Sequence, residues 1–108
     1  MSKARLTAPA TSDVDDLLAY YAAHSRKYAL KLASAFRRTF RVVGRNPKCG
    51  RPTTFRPFGL RQIAVMKHVV FFRDTPTGVE IIRVLDGRRL IDDSLFDTPL
   101  TALRDRRR

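Results

Sequence analysis

The apolar residues in the first half of the chain recur at the spacing of helix faces. One set follows the i, i+3, i+4, i+7 pattern that is typical of an amphipathic helix: Val14, Leu17, Leu18 and Tyr21. Hydroxyl and carboxylate groups at residues 11–13 favour a helix start, and we expect this helix to end near His24. Ser25 then predicts the cap of a second helix running to about Gly44, with an apolar stripe of Ala29, Leu32, Ala33, Phe36, Phe40 and Val43. The sequence therefore predicts a helical hairpin.

The second half of the chain has strand patterns instead. Runs rich in β-branched and aromatic residues cover 60–66, 68–73 and 79–85, and a turn at 74–78 joins the last two. Such short connections predict a three-stranded antiparallel meander. We also expect a short edge strand or an extended lead-in at residues 3–8, a turn-rich loop at 46–58 and a short C-terminal helix at 88–95. The predicted fold is α+β, with the helical hairpin covering one face of the sheet.

Length and composition bound the class of protein. A chain of 108 residues suits one domain, which we place at residues 1–96, followed by a basic tail at 97–108. The single cysteine, Cys49, cannot form an internal disulfide, and no paired histidine is evident, which favours a loop thiol over a nucleophile. No apolar segment has the length of a signal peptide or a membrane span. We therefore expect a cytoplasmic protein with no membrane partner.

Positive charge is concentrated in one part of the chain. The formal net charge is +12 at pH 7, and residues 25–62 contain eleven Lys and Arg but no Asp or Glu. Like charges at helical spacing repel each other. The block therefore indicates a partner that neutralises it, either a nucleic acid or an acidic protein surface. The alternative is an ordinary solvated helix face.

Several local patterns, taken in order, resemble the ParE branch of the ParE/RelE toxin superfamily. They are residues 8–10 with 16–17 and 20–21, the Pro…Gly-Arg loop at 46–51, the Gly-Leu-Arg at 59–61, the run 69–73 and the stretch 80–89. The resemblance covers about residues 4–93. Two positions depart from it, because Asp86 stands where a His is common and Leu90 where an Asp often follows an Arg pair. The resemblance implies the element order predicted above.

That resemblance implies the toxin of a type II toxin–antitoxin pair. The resemblance to the ParE branch implies that the protein poisons DNA gyrase. The candidate target-binding residues are Arg61, Arg83, Arg88 and Arg89. Other interpretations pair Arg83 with Glu80 or Asp86, and make Arg61 and Arg73 cross-strand partners of acids. A third class is a non-toxic basic module that binds nucleic acid.

The RelE branch of the superfamily implies an enzyme instead, a ribosome-dependent endoribonuclease. Cleavage of RNA needs a base that activates the 2′-hydroxyl and cations that stabilise the phosphorane. All three tyrosines, Tyr20, Tyr21 and Tyr28, lie in the predicted helices. His24 and His68 are interpreted as surface or packing residues. No catalytic residue is therefore assigned, and this function stays an alternative.

The resemblance also implies a ParD-like antitoxin whose acidic, amphipathic C-terminal segment folds on the toxin. The candidate contacts lie on the basic face of the second helix, in the loop at 46–58 and on aromatic residues expected to be exposed: Tyr20, Tyr28, Lys31, Arg37, Arg38, Arg41, Arg45, Phe55 and Phe58. The alternative for each of the four aromatics is packing in the core or in the seam of the hairpin. Operator DNA is expected to be reached only through the antitoxin. Metal-ligand and phosphate-loop patterns are absent from the sequence, so no cofactor and no metal are expected.

Overall fold

A computed structural model describes residues 4–55, 59–87 and 96 of the chain. Its elements are β1 (Ala4–Leu6), α1 (Ala8–His24), α2 (Arg26–Arg45), β2 (Arg51–Pro52), β3 (Arg61–Val65), β4 (His68–Thr75) and β5 (Gly78–Asp86). The predicted α+β class and the helical hairpin are confirmed. The helix expected at 88–95, the tail from 97 onward and Phe58 lie outside the described residues.

The start of α1 differs from the sequence prediction. Thr7 is the capping residue, because its hydroxyl accepts a hydrogen bond from the Ala10 amide at 3.2 Å. Pro9 lies in the first turn of the helix, where an amide hydrogen is not needed. The cap predicted at residues 11–13 was therefore wrong, and Asp13 lies inside the helix.

A single residue ends α1 and begins α2. The Ser25 amide donates to the Tyr21 carbonyl at 2.7 Å, which closes the last turn of α1. Its hydroxyl accepts a hydrogen bond from the Tyr28 amide at 3.2 Å, so the predicted cap of the second helix is confirmed. α2 ends one residue later than expected, where the Asn46 amide donates to the Val42 carbonyl.

The strands form one mixed sheet in the order β1-β5-β4-β3-β2. The pairs β3–β4 and β4–β5 are antiparallel, as the meander predicted. β1 is an edge strand, as expected, and it runs parallel to β5. The two-residue β2 was not predicted, since it lies within the turn-rich loop, where Pro52 is tolerated because the strand is at the edge.

Apolar side chains cover both faces of β4 and β5. On one face they pack under the two helices, in a core that contains Leu32, Phe36, Val70, Phe72, Ile81 and Val84. On the other face Leu60, Phe71, Ile82 and Leu85 pack with Phe96 and Phe55. A register shift lies between Phe71 and Phe72 of β4. Burial on both faces explains why these strands read as almost continuous apolar runs.

Candidate partner-binding surfaces

Arg83, a candidate target-binding residue, is bound to α1. Its Nε donates to Asp13 Oδ2 at 2.7 Å and its Nη2 donates to Asp13 Oδ1 at 2.8 Å. The two side chains are 19% and 14% exposed. The hydrogen bond to Asp13 raises the pKa of Arg83 above its ordinary value, although burial acts in the opposite direction. Such a two-point pair holds the guanidinium in one orientation.

The same carboxylate completes the edge of the sheet. β1 pairs only with residues 79–81 of β5. Just beyond, the Thr7 amide donates to the Ile81 carbonyl and the Thr7 hydroxyl to the Ile82 carbonyl, each at 3.0 Å. The Val84 amide then donates to Asp13 Oδ2 at 2.9 Å. The start of α1 thus replaces a missing strand, and Arg83 is part of this structural junction. Its role in target binding stays a prediction.

Arg61, a second candidate, holds the loop that precedes β2. Its guanidinium donates to three carbonyl oxygens, those of Lys48 at 2.7 Å, Cys49 at 2.9 Å and Gly50 at 3.2 Å. Gly50 has a φ of 74°, and a Cβ there would clash with the Gln62 carbonyl oxygen. The loop therefore lies tightly against β3 and engages the Arg61 guanidinium, and the role of Arg61 in target binding stays a prediction.

The other arginines at the strand ends divide into two groups. Arg73 pairs with its cross-strand neighbour Glu80 at 3.1 Å, as one interpretation predicted. Arg61 has no such acid, because Phe72 lies opposite it in the register. Arg88 and Arg89 lie outside the described residues. Both stay predictions for target binding.

The aromatic candidates differ in how far they reach solvent. Tyr20 is 59% exposed, and its ring contacts His24 at 4.7 Å between centroids. Tyr28 is half-buried, with its ring 4.8 Å from that of Tyr21. Phe55 is also half-buried, and its ring lies 5.4 Å from Phe96 on the sheet. Among the described candidates, Tyr20 is therefore the one available as an exposed anchor.

The basic face of α2 is exposed as predicted. Five candidates lie on it, all with exposed side chains: Lys31, Arg37, Arg38, Arg41 and Arg45. Arg37 donates to the Ser34 hydroxyl at 3.3 Å. Leu30 and Val42, 59% and 41% exposed, lie beside these cations and were missed by the sequence reasoning. Their positions off the apolar stripe were the signal that would have identified them.

His68 does not offer a base to a substrate. Its side chain is 1% exposed beneath the helices, and neither ring nitrogen has a hydrogen-bond partner in the described part of the chain. Tyr21 and Phe36 contact the ring edge-on at 5.8 and 6.0 Å. Burial lowers the pKa of His68, opposed by Asp86. The neutral ring is therefore a core residue, in agreement with the packing interpretation.

The described residues contain neither a metal-binding cluster nor a membrane-spanning helix. Residues 4–55, 59–87 and 96 bring together no group of three His, Cys, Asp or Glu side chains able to hold a metal ion. Cys49 is half-buried against the core beneath the helices. Neither described helix has the length and apolar character needed to cross a bilayer.

Comparisons with known proteins agree with the fold and the element order. The family model described as the ParE toxin of the parDE type II toxin–antitoxin system matches residues 4–91. Among solved structures, a chain of the chromosomal ParDE toxin–antitoxin system from P. aeruginosa superposes with a TM-score of 0.68 at 21% sequence identity. The match covers 80% of this chain and 96% of that one. The comparison with curated proteins gave no match.

Proposed function

The chain belongs to the ParE toxin family of type II toxin–antitoxin systems, and we propose that it arrests growth by poisoning DNA gyrase. In this mechanism the toxin stabilises the complex in which gyrase has cleaved its DNA, so that breaks persist. The observation that carries the proposal is the family match over residues 4–91. That match spans both helices and all five strands of the described fold.

The side chains support gyrase poisoning over RNA cleavage. All three tyrosines of the chain lie on the helices, and the described residues at the end of β5 include neither a Tyr nor a His. His68 is buried, and His24 is on α1, where its Nδ1 lies 2.9 Å from the Tyr20 carbonyl oxygen. A gyrase poison needs no general base. The ribonuclease function therefore remains the second candidate, on fold similarity alone.

The partner within the pair is proposed to be a ParD-like antitoxin with an acidic, amphipathic segment. The exposed cations of α2 supply charge complementarity, and Tyr20 and Leu30 supply apolar contact area at the same helical hairpin. Phe55 is not proposed as an anchor, because it already packs on the sheet. Folding of a disordered acidic segment onto such a surface is a common recognition mode.

A supercoiling assay tests the proposed target. Purified toxin is added to gyrase, ATP and relaxed plasmid, and the products are separated after protein digestion. We expect supercoiling to be blocked and linear plasmid to accumulate, and premixing with the antitoxin should prevent both effects. Unchanged supercoiling at a large molar excess of toxin would contradict the proposal. Ribosome-dependent cuts in messenger RNA during growth arrest would favour the ribonuclease instead.

A further inference from the structure

We propose that the outward face of α2 is a binding site for the phosphate backbone of duplex DNA. The site is the α2 stripe, which we define as Lys27, Lys31, Ser34, Arg38, Arg41 and Arg45. The inference goes beyond the proposed function, because neither gyrase poisoning nor antitoxin binding requires the toxin itself to hold DNA. It also departs from the sequence expectation that operator DNA is reached only through the antitoxin.

The α2 stripe is a row of five cations and one serine along one face of the helix. Its members follow each other at steps of four, three, four, three and four residues, the spacing that keeps side chains on one helix face. Lys27 and Arg45 are eighteen residues apart in the numbering, which corresponds to about 27 Å along the helix axis. B-DNA carries one negative charge per roughly 1.7 Å of its axis. A stretch of duplex as long as the row therefore carries roughly sixteen phosphate charges, and those on its near side are within reach of the five cations.

The charges of the stripe are not neutralised within the described protein. All five cations are exposed. Arg73 pairs with Glu80 and Arg83 pairs with Asp13, and neither of these ion pairs involves the stripe. Residues 25–62 contain no acid, and the exposed acids of α1, Asp15 and Asp16, form no ion pair with α2. No described acid offsets the repulsion among these cations, which solvent, salt or an anionic partner can relieve.

The composition of the stripe suits a phosphate backbone, which would then compete for these cations with the acidic antitoxin segment proposed above. Apart from the Ser34 hydroxyl its members are Lys and Arg, and the surface is the convex side of a helix. The buried centres of protein–protein interfaces are depleted of charged residues, whereas protein–DNA interfaces are strongly positive and polar. The exposed Leu30 lies beside the row and not in it. Lys and Arg, the charged residues of the stripe, are also common partners of phosphate oxygens in protein–DNA complexes.

The same stripe is less suited to single-stranded nucleic acid. Proteins that bind single strands combine basic grooves with aromatic side chains on which bases stack. The stripe contains no aromatic residue, and the exposed Tyr20 is on the other helix. Cations repeated along one face of a helix instead suit the regularly spaced phosphates of a duplex. Because the contacts are to the backbone, binding is expected to be independent of base sequence.

Fluorescence anisotropy with a short labelled duplex of arbitrary sequence tests the inference. Five phosphate contacts predict that log K falls against log [salt] with a slope of about −4.5, or roughly a 500-fold loss between 50 and 200 mM salt. The variant Arg38→Gln/Arg45→Gln removes two contacts and should reduce the slope by about 1.8. The gyrase enzyme is absent from this measurement, so its outcome does not depend on the proposed target.

A matched control distinguishes binding at the stripe from attraction of DNA by the net charge of the protein. Arg5→Gln/Lys67→Gln removes the same two charges from exposed residues outside α2. We expect this control to bind duplex with nearly the wild-type slope. Equal losses in the two variants would show that net charge alone attracts DNA and would overturn the inference. So would a toxin that binds an acidic peptide at the stripe but no duplex at low salt. Circular dichroism of both variants confirms that they are folded.

Discussion

Removal of the Asp13 carboxylate tests whether α1 completes the edge of β5. In the structure this carboxylate accepts hydrogen bonds from Arg83 Nε and Nη2 and from the Val84 amide. Asp13→Ala deletes all three contacts at once. Arg83 would lose its two-point partner, and the Val84 amide would lose its hydrogen bond at the edge where β1 has ended. The variant should therefore destabilise the packing of α1 on the sheet.

The expected loss of stability follows from the geometry. Hydrogen bonds that involve a charged group contribute about 1.5–3 kcal/mol each, and removal of one partner of a fully buried ion pair costs about 3–5 kcal/mol. Asp13 and Arg83 keep 14% and 19% of their side-chain surface, so water restores part of the lost solvation. We therefore expect the free energy of unfolding to fall by about 2–4 kcal/mol, because the pair is partly buried. For a domain of this size that lowers the melting temperature by roughly 10–25 °C.

Urea unfolding followed by circular dichroism measures this loss. The matched control is Asp15→Ala, an exposed acid on the same helix, which should change the free energy of unfolding by less than about 0.5 kcal/mol. A double-mutant cycle with Arg83→Ala should give a coupling energy above about 1 kcal/mol. An Asp13→Ala protein as stable as wild type would refute the assignment. An equal loss in Asp15→Ala would attribute the effect to helix electrostatics rather than to the junction.

Three further predictions concern other contacts. Arg61→Ala should lower stability by about 1–3 kcal/mol and speed proteolytic cleavage of the loop at residues 46–55; a cleavage rate equal to that of wild type would argue against the carbonyl contacts. Because burial lowers the pKa of His68 below the value of about 6.5 in the unfolded chain, stability should be complete above pH 6.5 and fall as the pH decreases below it. His68→Phe should remove that fall, and an unchanged pH profile would contradict the assignment. Tyr20→Ala should leave stability nearly unchanged but weaken antitoxin binding about tenfold in calorimetry, whereas unaltered affinity would exclude Tyr20 as an anchor.

The family and most of the elements could be predicted from the sequence, because they depend on short-range patterns. The apolar spacing of α2, the Ser25 cap and the alternation of strand residues each involve neighbours a few positions apart. The exposure of the basic face of α2 could also be predicted from the local sequence. In a helix that packs through one apolar stripe, the residues outside that stripe lie toward solvent. The edge position of β1 was also anticipated, but its parallel partner was not.

The start of α1 depended on contacts between distant parts of the chain. Residues 11–13 and Thr7 both have the chemistry of a helix cap. Thr7 takes the role because its amide and hydroxyl also bind the carbonyls of Ile81 and Ile82 at the edge of β5. A local pattern contains no information about that edge, since the edge exists only after β1 has paired with β5 and ended.

The arginines show most clearly the difference between what short-range patterns predict and what distant contacts decide. In the sequence Arg61, Arg83 and Arg38 are equivalent long cations, and each was a candidate for contact with a partner. The fold binds Arg83 to a carboxylate seventy positions away and Arg61 to the carbonyls of a loop, while Arg38 stays exposed. The sequence by itself determined the amount of charge and the helix that carries it. Only the tertiary structure decided which cations are used to hold the fold, because their partners are brought near by the sheet and not by the chain.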